Sequence, residues 1–307
     1  MPSAADTTSA VLVTEAQRAD YERHGYLLLP SFLAPLWLER LRAVAATYVE
    51  ASRAPDASPR IFDVEPGHSA ETPRLRRLIS PVDLDPTIRE LALRGPIAGL
   101  AVSLLGGPAR FHHSKLNFKW FDGGEEIKWH QDIQFWPHSD FSPLTIGIYL
   151  EDVDNEMGPM GVVPGSHQGE LYDLYDGEGR WTGALEDSDL PRAGLDRAVY
   201  LRGPAGSVTV HNCCAVHGSM PNLSPRARPL LLMTYSAAES FPLLGVGTNG
   251  RTGKLTGTLV GGPSPRWITV GGRRMPAAPN WSQGGYHTIF DVQQTEGGSQ
   301  PSDDAAR

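Results

Sequence analysis

Apolar residues fall into two regimes along this chain: helical spacing over roughly the first hundred positions, then short runs broken by glycine and proline. Thr14, with Gln17 three positions on, has the form of a capping box, which predicts a helix through Tyr21 to about His24, stopped by Gly25. Tyr26-Leu27-Leu28-Leu29-Pro30 reads as a first strand. Pro35 opens a second helix to about Ala51, in which Leu38, Leu41, Val44, Ala45 and Tyr48 form one apolar stripe. Further helices are expected over Pro86–Arg94 and Pro96–Leu105, ahead of Gly106-Gly107, all packing on the outside of a sheet.

The second regime is strand-like. Phe111–Phe121 is rich in aromatics, Leu144–Leu150 is a second run, and Gly158–His167 reads as a short strand ending in a turn. Val199–Leu201, Gly206–His211 and Pro229–Tyr235 complete the series. Many short strands between Gly and Pro point to a mainly β fold with flanking helices, a double-sheet jelly roll rather than a parallel sheet. Residues 168–196 are long and polar for a strand connection and are expected to form a lid. Phe241–Tyr286, rich in Gly, Pro and Arg, is expected to wrap the jelly roll irregularly. There is no internal repeat.

At 307 residues the chain is long enough for a single domain with decorations. The expected organisation is a disordered 1–13, one domain over 14–294 with its jelly-roll core at about 108–240, and a disordered tail over 295–307. A net charge of −8, with no basic patch, argues against a nucleic-acid partner. Cys213 and Cys214 are adjacent, which disfavours a disulfide and points to two core residues in a reducing compartment. With no signal-like start and no apolar run of spanning length, the expectation is a cytoplasmic protein without a membrane partner.

The chemistry is concentrated in a split pattern: Trp129-His130-Gln131-Asp132, then His217-Gly218-Ser219, then Arg228. Two imidazoles and a carboxylate can hold Fe(II) on one face and leave the opposite positions open. His130 and Asp132 differ by two positions, so on a strand they would share a face. An arginine further on can clamp a dicarboxylate bidentately. The competing reading of His130 and Asp132 is an ordinary surface hydrogen-bonded pair.

His130-Gln131-Asp132, followed by Gly158-Pro159-Met160-Gly161-Val162-Val163-Pro164-Gly165-Ser166-His167 and by His217-Gly218-Ser219 with Asn222, Ser224 and Arg228, resembles the phytanoyl-CoA dioxygenase family over about Tyr21 to Tyr235. The resemblance implies a double-stranded β-helix of cupin-like form and an Fe(II)- and 2-oxoglutarate-dependent oxygenase using dioxygen. It implies iron on His130, Asp132 and His217, the distal carboxylate of 2-oxoglutarate on Arg228, and Ser219, Asn117 and Lys115 hydrogen-bonded to the co-substrate. His211 rivals His217, and Arg226 rivals Arg228, but the Gly-Ser and the spacing favour His217 and Arg228, with Pro225 keeping Arg226 in a turn. Asp132 argues for hydroxylation over halogenation, since related halogenases carry a small residue there; desaturation, epimerisation and ring closure remain alternatives.

The substrate is expected to be a small polar or amphipathic metabolite, an amino acid or a pathway intermediate. Phe135, Trp136, His138, His113, Tyr149 and Tyr235 are candidates to line its pocket, beside the plainer reading of the aromatics as core. Only Arg266, Arg273 and Arg274 could form a basic rim for a coenzyme A thioester, which is disfavoured. Two readings of other classes stand against the oxygenase: a metal-dependent hydrolase or isomerase using the same ligands, and a non-catalytic jelly-roll binding module.

Overall fold

The computed structural model describes residues 12–121, 125–244, 253–279 and 288–294. The disorder expected for 1–11 and for the tail after Gln294, and the parts of the expected 241–286 wrap at 245–252 and 280–286, lie outside these residues. Leu12 and Val13 do not fit a disordered start: Val13 is buried in the main core and Leu12 packs on Gly99.

Helix α1 (Glu15–His24) begins with the capping box, Gln17 N–H donating to Thr14 Oγ1 and Thr14 N–H to Gln17 Oε1, and ends on Gly25 at φ 75°. Helix α2 (Pro35–Ala51) buries Leu41, Val44 and Ala45, with Leu38 and Tyr48 half-buried on the same stripe. Helices α3 (Pro81–Leu84), α4 (Pro86–Leu93) and α5 (Pro96–Leu105) follow, each opened by proline at its first turn, where the missing N–H costs nothing. A last helix, α6, spans Ile289–Gln294.

The strands are β1 (Tyr26–Leu29), β2 (Phe62–Val64), β3 (Leu75–Ile79), β4 (Ala109–Lys119), β5 (Ile127–His130), β6 (Leu144–Tyr149) and β7 (Met160–Val162). Then come β8 (Val199–Leu201), β9 (Val208–Asn212), β10 (His217–Ser219), β11 (Arg228–Ala237), β12 (Leu259–Val260), β13 (Trp267–Val270) and β14 (Arg273–Pro276). The larger sheet runs β1-β9-β6-β11-β4-β3-β2, with β12 also on β4, and the smaller runs β5-β10-β7-β8. Neither sheet closes on itself, and the two form the layers of the expected jelly roll. Strands β2 and β3 are short and charge-bearing, so they carry no clear apolar alternation to read in advance. The C-terminal wrap contains a hairpin, β13 with β14, where irregular chain was expected.

Period-two alternation divides the larger sheet's faces. Leu116 and Phe118 of β4, Ile146 and Ile148 of β6, Val208 and Val210 of β9, and Leu231 and Met233 of β11 share one core with Leu91, Ile97 and Leu100 of the helices. The opposite face carries Lys115 and Asn117, Thr145, His211, and Leu230 and Leu232, and lines a cavity. On β6 this face needs a glycine: a Cβ on Gly147 would lie 2.6 Å from Thr209 Oγ1. An extra residue, His112, interrupts the β4–β11 ladder, since Thr234 pairs with His113 but Tyr235 with Phe111.

Candidate metal centre

The smaller sheet supplies two imidazoles from neighbouring strands: His217 on β10 pairs in register with His130 at the end of β5. Asp132 is not on that strand. The chain leaves β5 at His130, and Asp132 opens a 3-10 turn over Asp132–Gln134, so a turn rather than a shared strand face aims the carboxylate back at the rings. One donor atom from each of His130, Asp132 and His217 lies within 4.8 Å of the others, the sole such cluster among the described residues. Asp132 Oδ1 is 3.7 Å from His130 Nε2, and its Oδ2 is 4.0 Å from His217 Nε2.

The backbone fixes which nitrogen is presented. His130 Nδ1 hydrogen-bonds the Lys128 carbonyl at 2.8 Å and His217 Nδ1 the Ala215 carbonyl at 3.0 Å, which makes each Nδ1 the donor and leaves each Nε2 lone pair facing the cluster. Burial pushes both imidazoles down in pKa, and His217 further by its imidazole neighbours, so both are neutral ligands in waiting. Burial alone would raise Asp132, but the His211 hydrogen bond and the nearby His217 and Lys115 hold its carboxyl well below the usual range. The donor set, two neutral Nε2 atoms and one carboxylate, fits a divalent iron with a face left open. His211 belongs behind the ligands: its Nε2 lies 3.3 Å from Asp132 Oδ2, a contact that orients the carboxylate.

These residues open onto a cavity of about 330 Å³ between the sheets. Lys115, Asn117, Ser219 and Arg228 all line it. Arg228, the first residue of β11, is 4 % exposed; one of its terminal nitrogens donates to the Gly158 carbonyl, while its Nε is buried without a partner. A buried guanidinium on a cavity wall, with hydrogen-bonding capacity left unused, suits an anion. Arg226 instead forms an exposed ion pair with Asp154. The mouth adds Arg77, hydrogen-bonded to Asn117 Oδ1 at 3.1 Å, together with Lys128 and Glu126.

The segment over 168–196 covers the cavity as an anchored layer. Leu174, Leu185 and Ala193 are buried against Val163 and Val216, and Gln131, between the two ligands of the H-x-D, donates to the carbonyls of Glu170 and Cys214 and accepts from Tyr172. Thr182, Gly183 and Ala184 of this segment face the cavity.

Of the side chains expected to line a substrate pocket, only Phe135 does so. Tyr235 shares the helix-facing side of β11 with Leu231 and Met233, and its hydroxyl donates to the Ala92 carbonyl. Tyr149 lies at the far end of β6 and donates to the Leu201 carbonyl. His113, Trp136 and His138 pack with His112 in an aromatic cluster beside the β4 irregularity and do not line the cavity. His138 borders a separate hollow with Arg110 and Phe241. Cys213 and Cys214 are buried free thiols against Ile133 and Trp136. Arg77, Thr182 and Lys119 escaped the sequence reading, although Lys119 shares the parity of Lys115 and Asn117 on one strand, a signal that could have found it.

The family model for phytanoyl-CoA dioxygenase (PhyH) matches residues 21–230. A probable alpha-ketoglutarate-dependent hypophosphite dioxygenase of Stutzerimonas stutzeri is 33% identical over 237 residues, covering 76% of this chain and 82% of that protein. An L-proline trans-4-hydroxylase of Streptomyces griseoviridis is 32% identical over 240 residues, covering 72% and 86%. Among solved structures, EctD from S. alaskensis with bound Fe superposes with a TM-score of 0.63 at 25% identity, covering 76% of this chain and 80% of that one.

Proposed function

The chain belongs to the phytanoyl-CoA dioxygenase family, and from that premise we propose that it hydroxylates an unactivated C–H bond of a small metabolite bearing a carboxylate or a small oxyanion, with Fe(II) on His130, Asp132 and His217. It is a non-haem-iron, 2-oxoglutarate-dependent oxygenase. The observation that carries the ligand assignment is the convergence of two backbone-anchored imidazoles and one carboxylate at the cavity wall. Iron held there supplies, with 2-oxoglutarate and dioxygen, the oxidising power for the C–H bond, with succinate and carbon dioxide as co-products.

The protein's own residues bind, orient and exclude water. Arg228 takes the distal carboxylate of 2-oxoglutarate at the cavity wall, with Ser219 and Asn117 beside it. Lys115, whose charge acts on both His130 and Asp132, is placed for the end of the co-substrate nearer the metal. His211 keeps the Asp132 carboxylate oriented, and Phe135 with Thr182, Gly183 and Ala184 shields the open face from solvent.

A cavity of about 330 Å³, at the lower end of the ~300–1,000 Å³ typical of small-molecule sites, favours a compact substrate over a coenzyme A thioester. Its mouth carries Arg77 and Lys128 against Glu126 alone, a surplus of positive charge that favours a substrate bearing a carboxylate or a small oxyanion. The S. stutzeri and S. griseoviridis relatives are named for hypophosphite and L-proline, both of that kind at neutral pH.

The test is an anaerobic titration with Fe(II) and then 2-oxoglutarate, read by the visible charge-transfer band of the chelate, followed by a succinate-release screen of amino acids, hypophosphite and uncharged analogues. A band that needs both additions and His217, with turnover confined to compounds bearing a carboxylate or a small oxyanion, is the expected result. Metal binding without any response to 2-oxoglutarate would move the assignment to a hydrolase or isomerase, and turnover of neutral analogues alone would overturn the substrate class.

A further inference from the structure

Cys213 and Cys214, the two cysteines of the chain, have no part in the reaction described so far. Both are buried and both are free. They occupy the turn between β9 and β10, which leads from His211, the residue behind Asp132, to the ligand His217. Adjacency disfavours a resting disulfide: neighbouring Cα atoms are held about 3.8 Å apart, whereas a relaxed bridge spans roughly 4.4–6.8 Å. The turn nevertheless directs both side chains the same way, and the two Sγ atoms lie 3.7 Å apart. Its backbone is fixed by Cys213 N–H donating to the Pro143 carbonyl at 2.9 Å and Cys214 N–H donating to Asn212 Oδ1 at 2.8 Å.

The same turn holds the segment that carries Asp132. The Cys213 carbonyl accepts from the Ile133 N–H at 3.0 Å, and the Cys214 carbonyl accepts from Gln131 Nε2 at 2.7 Å. Asp132 therefore stands between two residues, each tied to one of the cysteines.

We propose that Cys213 and Cys214 form a dithiol that peroxide oxidises to a vicinal disulfide, and that closing this bond loosens Asp132 and lowers the affinity of the centre for iron. The effect on iron rests on the ligand assignment above. In the first step one sulfur attacks the O–O bond of hydrogen peroxide and keeps one oxygen as a sulfenic acid, while the other oxygen leaves as water. The second sulfur then displaces the bound oxygen as another water, and the S–S bond forms. Two thiols lose two electrons and two protons, and one peroxide becomes two waters. Cys214 is the sulfur that attacks, because the Cys213 S–H directed at it lowers its thiol against the opposing effect of burial. Peroxide is small and uncharged, so it needs only a transient opening of the packing around Ile133 and Trp136.

Closing the sulfurs from 3.7 Å to the ~2.0 Å of a disulfide must turn the single peptide unit between the two cysteines. That unit contains the carbonyl to which Ile133 donates, and the Cys214 carbonyl on the next unit is displaced with it. The 3-10 turn that aims Asp132 loses its supports on both sides. A ring closed on one peptide unit is strained, so the bond is readily reduced and the change reverses.

The experiment treats metal-free full-length protein with hydrogen peroxide, removes the peroxide, and measures intact mass, peptide mass and anaerobic Fe(II) affinity before and after reduction with dithiothreitol. Wild type, Cys213→Ala and Cys214→Ala are compared. Wild type is expected to lose two hydrogens as a monomer, within one peptide that holds both cysteines, and to bind Fe(II) about ten- to a hundredfold more weakly, the usual effect of disturbing the groups behind a metal ligand. Dithiothreitol should restore both mass and affinity. Neither alanine variant can close the ring, and each should keep its own Fe(II) affinity through the same treatment.

Sulfurs that stay as thiols, gain oxygen without closing, or link two chains overturn the proposal. A disulfide that leaves Fe(II) affinity unchanged overturns it too, as does an equal loss of affinity in the alanine variants. If those variants do not fold, wild type before and after dithiothreitol decides: a loss that reduction does not reverse overturns the proposal. Reduced wild type that binds no Fe(II) would instead overturn the ligand assignment, while the masses still decide whether the disulfide forms.

Discussion

His130 and His217 face each other as register partners across β5 and β10, with ring centroids 4.2 Å apart and each Nδ1 tied to a carbonyl two residues earlier in the chain. The pair is therefore a rigid feature of the smaller sheet, and Asp132 is the ligand that depends on a turn.

The first prediction separates these contributions. His130→Ala and His217→Ala should each abolish stoichiometric Fe(II) binding, because two ligands cannot hold a facial site. His211→Phe keeps an aromatic ring beside His217 but removes the contact to Asp132 Oδ2, and should weaken metal affinity by about ten- to a hundredfold, the usual effect of losing an outer partner. Anaerobic metal titration with circular dichroism as a folding control checks both. Unchanged affinity in His211→Phe would mean that the turn alone orients Asp132.

Arg228→Ala should weaken 2-oxoglutarate binding far more than metal binding. Truncating one partner of a buried charge pair typically costs about 2–5 kcal/mol, or roughly thirty- to several thousandfold. Arg228→Lys should fall between, since a lysine keeps the charge but loses the fork geometry and the bond to Gly158. Equal losses of iron and 2-oxoglutarate affinity would place Arg228 in the scaffold instead.

The ligands and the arginine were legible because their chemistry constrains residue type as well as spacing, and the structure gathers His130, Asp132, His217 and Arg228 at one cavity. The helices were legible through proline at first turns and the Thr14–Gln17 box. Pocket lining was not. Which face Tyr235 takes depends on its agreement in parity with Leu231 and Met233, and the neighbouring irregularity at His112 has no glycine or proline to mark it. Trp136 and His138 turn away after a 3-10 turn that a strand reading of the H-x-D does not anticipate. Lys119 and Arg77 are ordinary surface-type residues in sequence, and only the pairing of β3, β4 and β11 brings them beside Asn117 and Arg228.

Gly147 offers a test of how tightly the cavity wall is packed. It lies on the cavity side of β6, in register with Thr209, and an added methyl would approach Thr209 Oγ1 to 2.6 Å and Leu230 and Leu232 to 3.2 Å. Thr209 is β-branched and has little rotamer freedom with which to yield. Gly147→Ala should destabilise the protein by about 1–3 kcal/mol, and Thr209→Ala in the same chain should restore much of the loss. Urea unfolding of the single and double variants measures this. A fully stable Gly147→Ala protein would show that β6 and β9 can separate at no cost.

The aromatic cluster outside the active cavity makes stability depend on pH. His112 is buried, its Nδ1 lies 2.6 Å from His113 Nδ1, and its ring centroid is 4.9 Å from that of His138. Burial, and then His138, push His112 from its ordinary value down to about 3; burial also lowers His138. In the unfolded chain both imidazoles titrate near ~6.5. Below that pH the unfolded state takes up protons that the native state refuses, so the contribution of this cluster is complete above pH 6.5 and is lost progressively as pH falls toward the depressed native values. Each such histidine removes about 1.4 kcal/mol per pH unit within its window. Comparing wild type with His112→Leu by urea unfolding between pH 8 and 5 isolates one of the two from other acid-sensitive groups. The variant should lose close to one proton of slope below pH 6, and its relative stability should improve as the medium becomes more acidic. Parallel curves for the two proteins would mean that native His112 is protonated as readily as in the unfolded chain, and that its burial is relieved by local opening of the cluster.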